Sequence, residues 1–135
     1  MPALKQYQLF ISHSWKYNFQ YENLMQLLRE AKRFYFLDYS VPKDDPLQVS
    51  PYGLYSALEN QIKHANVFII IAGKNIAYSD TIQDELNIAK KYNKPIIAIK
   101  PFGNTIIPTL AINYATDIIG WNTLSVVEAI RKYAK

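Results

Sequence analysis

Short apolar runs alternate with longer amphipathic stretches along the chain, and this alternation limits the folds that are open to it. The apolar runs of strand length are YQLFI, FYFLD, VFIIIA, PIIAI and DIIGW, which begin at Tyr7, Phe34, Val67, Pro95 and Asp117. The stretches between them carry apolar residues at helical spacing, around residues 19–33, 54–65, 79–92 and 123–133. This order predicts an α/β, flavodoxin-like, three-layer fold: a five-stranded parallel sheet of order 2-1-3-4-5 with helices on both faces.

Length and composition predict a single domain over residues 1–135. Half of the 135 residues are hydrophobic, which suffices for one packed core. The apolar runs are too short to cross a bilayer, and the first residues do not resemble a signal peptide, so no membrane partner is expected. The chain has no cysteine, which excludes disulfides and a cysteine nucleophile and is compatible with a cytoplasmic location. The net charge of +4 is scattered, so no nucleic-acid partner is expected.

In a sheet of this order, ligands bind beyond the carboxyl ends of the strands, where strands 1 and 3 meet. The loops at that edge are SHSWKYN after strand 1, YSVPKDDPLQVSPYG after strand 2 and GKNIAYS after strand 3. Their candidate substrate-binding residues are Ser12, His13, Ser14, Trp15, Asn75, Tyr78 and Ser79. Ser12 and Ser14 could donate to a phosphate or a ribose or cap the following helix, and Ser79 has the same two interpretations. His13 could hydrogen-bond a substrate or cap a turn, and Trp15 could stack on a ring of the substrate or cover the sheet edge.

The helix after strand 3 begins SDTIQDELNI and carries three acids, Asp80, Asp84 and Glu85. With about 100° between successive residues, Glu85 falls on the same side as Ile82 and Leu86, whereas Asp80 and Asp84 point away. An inward carboxylate is unfavourable unless it is paired, hydrogen-bonded or open to a cleft. Glu85 is therefore either a structural ion-pair partner or a functional carboxylate.

Several other functions for such a fold are not supported. A response-regulator receiver needs acids after strand 1 and a phosphoaccepting aspartate after strand 3, where this chain has SHS and AGK. A flavodoxin-like electron carrier is a weak alternative, because the strand-1 loop has two serines but no glycine. No GxGxxG, GxxxxGK[ST] or HExxH motif occurs, and two distant histidines without any cysteine do not indicate a metal site.

Four segments, YQLFISHSW, ALENQIKHANVFIIIAG, YSDTIQDELNIAKKYNKPIIAIKP and DIIGWNTLSVVEAI, together resemble TIR-like domains. They are most similar to the bacterial branch found in Thoeris antiphage defence, and the resemblance covers nearly the whole chain. It implies that Glu85 corresponds to the glutamate on which cleavage of the nicotinamide–ribose bond of NAD+ depends. Many family members have a tryptophan four residues earlier, where this chain has Thr81. The resemblance also implies that FISHSW lines the nicotinamide side and that VPKDDPL acts in assembly and substrate access.

The resemblance implies an enzyme for which NAD+ is the substrate and no further cofactor is required. It predicts a cyclic ADP-ribose isomer as a nucleotide signal to a downstream effector, and self-association of the protein. Hydrolysis to ADP-ribose is the other product that this chemistry allows. Two alternative functions stay open: a non-catalytic TIR-like adaptor that binds proteins, and a nucleoside deoxyribosyltransferase-like enzyme that acts on another N-glycosidic bond.

Overall fold

The structure, a computed structural model, describes residues 6–12, 18–31, 34–38, 59–72, 80–100 and 109–134. These residues form a five-stranded sheet in the order β2-β1-β3-β4-β5, and every neighbouring pair is parallel. The strands are β1 (Gln6–Ser12), β2 (Tyr35–Asp38), β3 (Val67–Ile71), β4 (Ile96–Ile99) and β5 (Asp117–Ile119). The predicted fold class and strand order are therefore confirmed, although β5 ends before Gly120 and Trp121, which were predicted to belong to it.

The helices of the described residues are α1 (Asn18–Glu30), α2 over residues 59–64, α3 (Asp80–Lys91), α4 (Thr109–Tyr114) and α5 (Thr123–Tyr133). The chain leaves α3 through Asn93, whose φ of 55° lies in the left-handed region that asparagine tolerates better than most residues. Asn122 is the N-cap of α5: its side-chain oxygen accepts a hydrogen bond from the backbone N–H of Ser125 at 3.2 Å. Within the described ranges, none of the helices has the length and apolarity needed to cross a membrane.

Two apolar clusters pack against opposite faces of the sheet. Alternate side chains of β1 and β3 point to opposite sides, so that Leu9 and Ile69 join one cluster while Phe10 and Phe68 join the other. Helices α1 and α5 cover the first face, and α2, α3 and α4 cover the second. Strands β3 and β4 are buried along their whole length, which explains why their sequences are continuous apolar runs.

Replacing Ile97 by alanine is expected to destabilise the protein by about 2–5 kcal/mol, because it leaves a cavity in the middle of β4. Ile97 is fully buried and lies between Ile69 of β3 and Asp117 of β5. Ile112 on α4 is 52% exposed and provides a matched control, since Ile112→Ala removes the same atoms from a solvated position. Urea unfolding of both variants measures the difference, and equal losses would contradict this description of the core.

Candidate active site

The site lies where β1 and β3 end side by side. Ser12 is the last residue of β1 and is paired with Ile70 of β3. Helix α3 begins at Asp80, after β3 has ended at Ile71, and Glu85 lies in its second turn. Because these strands are parallel and adjacent, their carboxyl ends bring Ser12 and α3 to the edge where such sheets bind ligands.

Glu85 is buried, as its position on the helix predicted. Its side chain is only 7% exposed, and its helix neighbours Ile82, Leu86 and Ala89 all belong to the apolar cluster beneath α3. Asp84, the preceding residue, is exposed as predicted. The side chain of Asp80 lies outside the described part of the structure. Glu85 is thus a carboxyl group inside the protein, where it needs a polar partner.

Ser12 provides that partner. Its hydroxyl donates a hydrogen bond to Oε2 of Glu85, and the two residues are 73 positions apart in the sequence. Ser12 itself is 2% exposed, so the contact is shielded from water. Among the described residues, no other hydrogen bond reaches the Glu85 carboxyl group, which has room for several more.

Burial raises the pKa of Glu85 from 4.5 to about 8. The hydrogen bond from Ser12 opposes this rise in pKa, because it stabilises the ionised form, whereas the negative charge of Asp84 adds to the rise. A carboxyl group that titrates near neutral pH can hold or release a proton under physiological conditions. Once ionised, it places a poorly solvated negative charge where a cationic ligand or a developing cation would be stabilised.

The remaining predicted site residues, His13, Ser14, Trp15, Asn75, Tyr78 and Ser79, lie outside the described residues, as does the long loop that follows β2. The side chain of Thr81 is likewise not described. Of the predicted set, the structure therefore brings together Ser12 and Glu85. Sequence reasoning left two roles open for Ser12, donation to a phosphate or a ribose and capping of the following helix, and it missed the contact with Glu85. The signal for that contact was the combination of an inward carboxylate on α3 with a hydroxyl at the end of the adjacent strand.

The described residues include no group of three or more histidine, aspartate and glutamate side chains arranged to hold a metal ion. His64, at the end of α2, is exposed, and its Nδ1 lies 2.7 Å from the backbone oxygen of Asn60, one helical turn earlier. The chemistry that the described site offers is therefore that of one buried carboxyl group and one hydroxyl.

Comparison with solved structures identifies enzymes that share this fold. A CMP N-glycosidase from Clostridium botulinum is 18% identical, with 93% of this chain and 98% of that one covered and a TM-score of 0.55. A 2-deoxyribosyltransferase from Bacillus psychrosaccharolyticus is also 18% identical, with 88% and 89% covered and a TM-score of 0.59. At this level of identity the likeness shows a common fold.

Comparison by sequence is more specific. Among curated proteins, none is significantly similar to this chain. The family model for the Thoeris protein ThsB, TIR-like domain, matches residues 10–106, a range that covers well over half of the chain and includes both Ser12 and Glu85. On this match, the chain belongs to the TIR-like domain family of the Thoeris protein ThsB.

Proposed function

We propose that this protein cleaves the nicotinamide–ribose bond of NAD+ and that Glu85 is its catalytic residue. The observation that carries this proposal is the Glu85 carboxyl group itself: it is buried in the second turn of α3 and is hydrogen-bonded to Ser12 at the carboxyl end of β1. Membership in the ThsB TIR-like family supports the choice of substrate. The fold shared with an N-glycosidase and a deoxyribosyltransferase supports the type of bond, because the nicotinamide–ribose bond is also N-glycosidic.

A single carboxylate suffices for this reaction, whereas ordinary glycoside hydrolysis uses two. The nicotinamide of NAD+ is already a cationic pyridinium. When the bond between the ribose carbon and the ring nitrogen breaks, the electron pair moves to nitrogen and nicotinamide leaves as a neutral molecule. No group needs to protonate it. The ribose develops positive charge, which an ionised Glu85 stabilises from within a poorly solvated site.

The protonation state of Glu85 is coupled to the charge of the substrate. With a pKa of about 8, the buried carboxyl group holds its proton in most molecules at neutral pH. A bound pyridinium favours the ionised form, because opposite charges attract strongly in a site with little water. The ribose hydroxyls then donate to the carboxylate oxygen that Ser12 does not occupy. The cationic substrate thus generates the form of Glu85 that acts on it.

The product depends on what captures the ribose cation. Attack by water gives ADP-ribose, and attack by a hydroxyl of the same molecule, with loss of its proton, gives a cyclic ADP-ribose isomer. A water-poor site favours the internal attack. We propose the cyclic isomer as the product, acting in the cytoplasm as a second messenger that carries the signal of phage infection to a separate effector. In this proposal NAD+ is consumed as a substrate, and the protein self-associates.

A second candidate function is cleavage or transfer at the N-glycosidic bond of a nucleoside or nucleotide. It is favoured by the fold shared with the CMP N-glycosidase and the deoxyribosyltransferase, since the same carboxyl position could serve that chemistry. A non-catalytic adaptor is the third function to distinguish. It would require the fold and its surface but not a buried carboxyl group.

The test is a substrate panel of NAD+, CMP and 2′-deoxyribonucleosides, each incubated with the purified protein and separated by chromatography. Parallel samples receive lysate from phage-infected cells as a source of activator, and the same lysate without the protein serves as the blank. We expect nicotinamide and a cyclic ADP-ribose isomer from NAD+, and no base release from the other substrates. Base release from CMP without cleavage of NAD+ would support the second candidate, and no turnover in any sample would support the adaptor.

A further inference from the structure

We infer that Ser12 is a positioning residue for Glu85: its hydroxyl holds carboxylate oxygen Oε2 and thereby leaves Oε1 to face the substrate. The geometry that carries this inference is a buried hydrogen bond between the end of a central strand and the second turn of α3. Ser12 thus acts through Glu85 and has no need to touch the ligand.

A role for Ser12 in positioning Glu85 is supported by the single hydrogen that its hydroxyl group can donate. A hydroxyl group has one hydrogen to donate, and when Glu85 is ionised the hydrogen of Ser12 goes to its carboxylate. In that state the oxygen of Ser12 can accept from a ligand but has no hydrogen left to donate to its phosphate oxygens. This differs from both roles that sequence alone suggested for Ser12, which were donation to a phosphate or a ribose and capping of the following helix.

The location of Ser12 makes it suited to fixing a side chain. It belongs to β1, which lies between β2 and β3, and its register against Ile70 fixes its position along the strand. Residues on strands of the scaffold hold a site more firmly than residues on loops do. Glutamate has three side-chain torsions, so a donor at a fixed point selects the orientation in which one oxygen is occupied and the other is open.

Among the described residues, Ser12 is the main contact that stabilises the ionised form of Glu85. Asp84, on the same helix, is the one described charged residue whose field acts on the pKa of Glu85, and it raises that pKa. The neighbouring strand residues Ile70 and Ile71 of β3 and Ile11 of β1 carry no charge. Within the described residues, the Ser12 hydroxyl is therefore the group that favours the ionised form of Glu85.

The direct test is a titration of the Glu85 carboxyl by ¹³C NMR in protein with labelled glutamate, with Glu85→Gln to assign the signal. We expect Ser12→Ala to move the midpoint upward by about one pH unit, because a charge-assisted hydrogen bond is lost. Asp84→Asn removes a negative neighbour without touching that hydrogen bond, so it should move the midpoint downward. Ser12→Thr keeps the hydroxyl on a residue type that strands accept, and it should restore the wild-type midpoint.

The kinetic test rests on the proposed function. Ser12→Ala should lower kcat/KM for NAD+ about tenfold at pH 7, in step with the smaller ionised fraction of Glu85 in the free enzyme, with partial recovery at higher pH. An unmoved NMR midpoint in Ser12→Ala overturns the inference whether or not NAD+ is cleaved. A loss of kcat/KM that stays the same from pH 7 into the alkaline range also overturns it, since Ser12 would then act by contacting the substrate. A moved midpoint without NAD+ cleavage supports the inference and counts against the proposed function.

Discussion

Glu85→Gln is expected to reduce the rate of nicotinamide release from NAD+ by about a thousandfold or more, which is the largest effect we predict for a single substitution. The glutamine side chain has nearly the same shape as the glutamate it replaces, so the apolar cluster under α3 keeps its packing. It carries no negative charge, however, and cannot stabilise the ribose cation. Removing one such electrostatic contact from a preorganised site typically lowers kcat by about 10²–10³. Glu85→Gln removes the charge that we propose as the main stabiliser of the ribose cation.

The measurement is kcat and KM from the time course of nicotinamide release, with two comparison variants. Glu128→Gln removes an exposed acid from α5, on the opposite face of the sheet, and should leave both constants unchanged. Glu85→Asp keeps the charge but shortens the side chain by one methylene, so the carboxyl withdraws from Ser12 and the rate should fall to an intermediate value. Activity of Glu85→Gln within a few-fold of wild type would exclude Glu85 as the catalytic residue.

The same carboxyl group is expected to make the stability of the protein depend strongly on pH. The pKa of Glu85 is about 8 in the folded protein and close to its ordinary value of 4.5 in the unfolded chain. Between these two values the folded state holds a proton that the unfolded state has released. The contribution of Glu85 to stability is therefore fully present below about pH 4.5, and it is lost as the pH rises through about 8. Across that interval the loss is on the order of 3 to 5 kcal/mol.

Urea unfolding at several pH values between 5 and 9, for wild type and for Glu85→Gln, measures this effect. Taking the difference between the two proteins at each pH cancels the contribution of the other titrating groups. We expect the wild type to lose stability with rising pH relative to Glu85→Gln, so that the variant becomes the more stable protein in the alkaline range. Parallel pH dependences for the two proteins would show that the carboxyl group is not desolvated in the way the structure describes.

These two predictions describe a trade-off at one position. Glu85→Gln should remove activity and, above neutral pH, increase stability. Such an exchange is typical of residues kept for function in an environment that disfavours them. If a variant lost activity and stability together at alkaline pH, Glu85 would be a structural residue, as the alternative interpretation of its inward position suggested.

The sequence predicted the parts of the fold that repeated apolar patterns specify. The fully apolar VFIII of β3 predicted a central strand, and the helical spacing of Ile82, Leu86 and Ala89 predicted the buried side of α3. Helix α4 was not predicted, because its six residues TLAINY are too few to establish a period. Helix α1 was predicted to extend to Arg33 but ends at Glu30. The chain leaves the helix there to enter β2 at Tyr35, and helical spacing of apolar residues does not define such an end to within a few residues.

The candidate site was predicted only in part, for a different physical reason. The inward position of Glu85 follows from local geometry along one helix. Its contact with Ser12 depends on how β1, β3 and α3 pack together, and no periodicity within either segment records that packing. The other predicted ligand contacts, from His13 to Ser79, remain predictions.

The pairing of β1 with β3 also has a consequence for a chain that is still being synthesised. Ser12 leaves the ribosome long before Glu85, which lies 73 positions later, and the hydrogen bond between them forms only after β1, β3 and α3 have packed together. Until then the carboxyl group is exposed to water and has no fixed partner. On the proposed mechanism, a nascent chain in which α3 has not yet packed beside β1 and β3 therefore does not consume cellular NAD+.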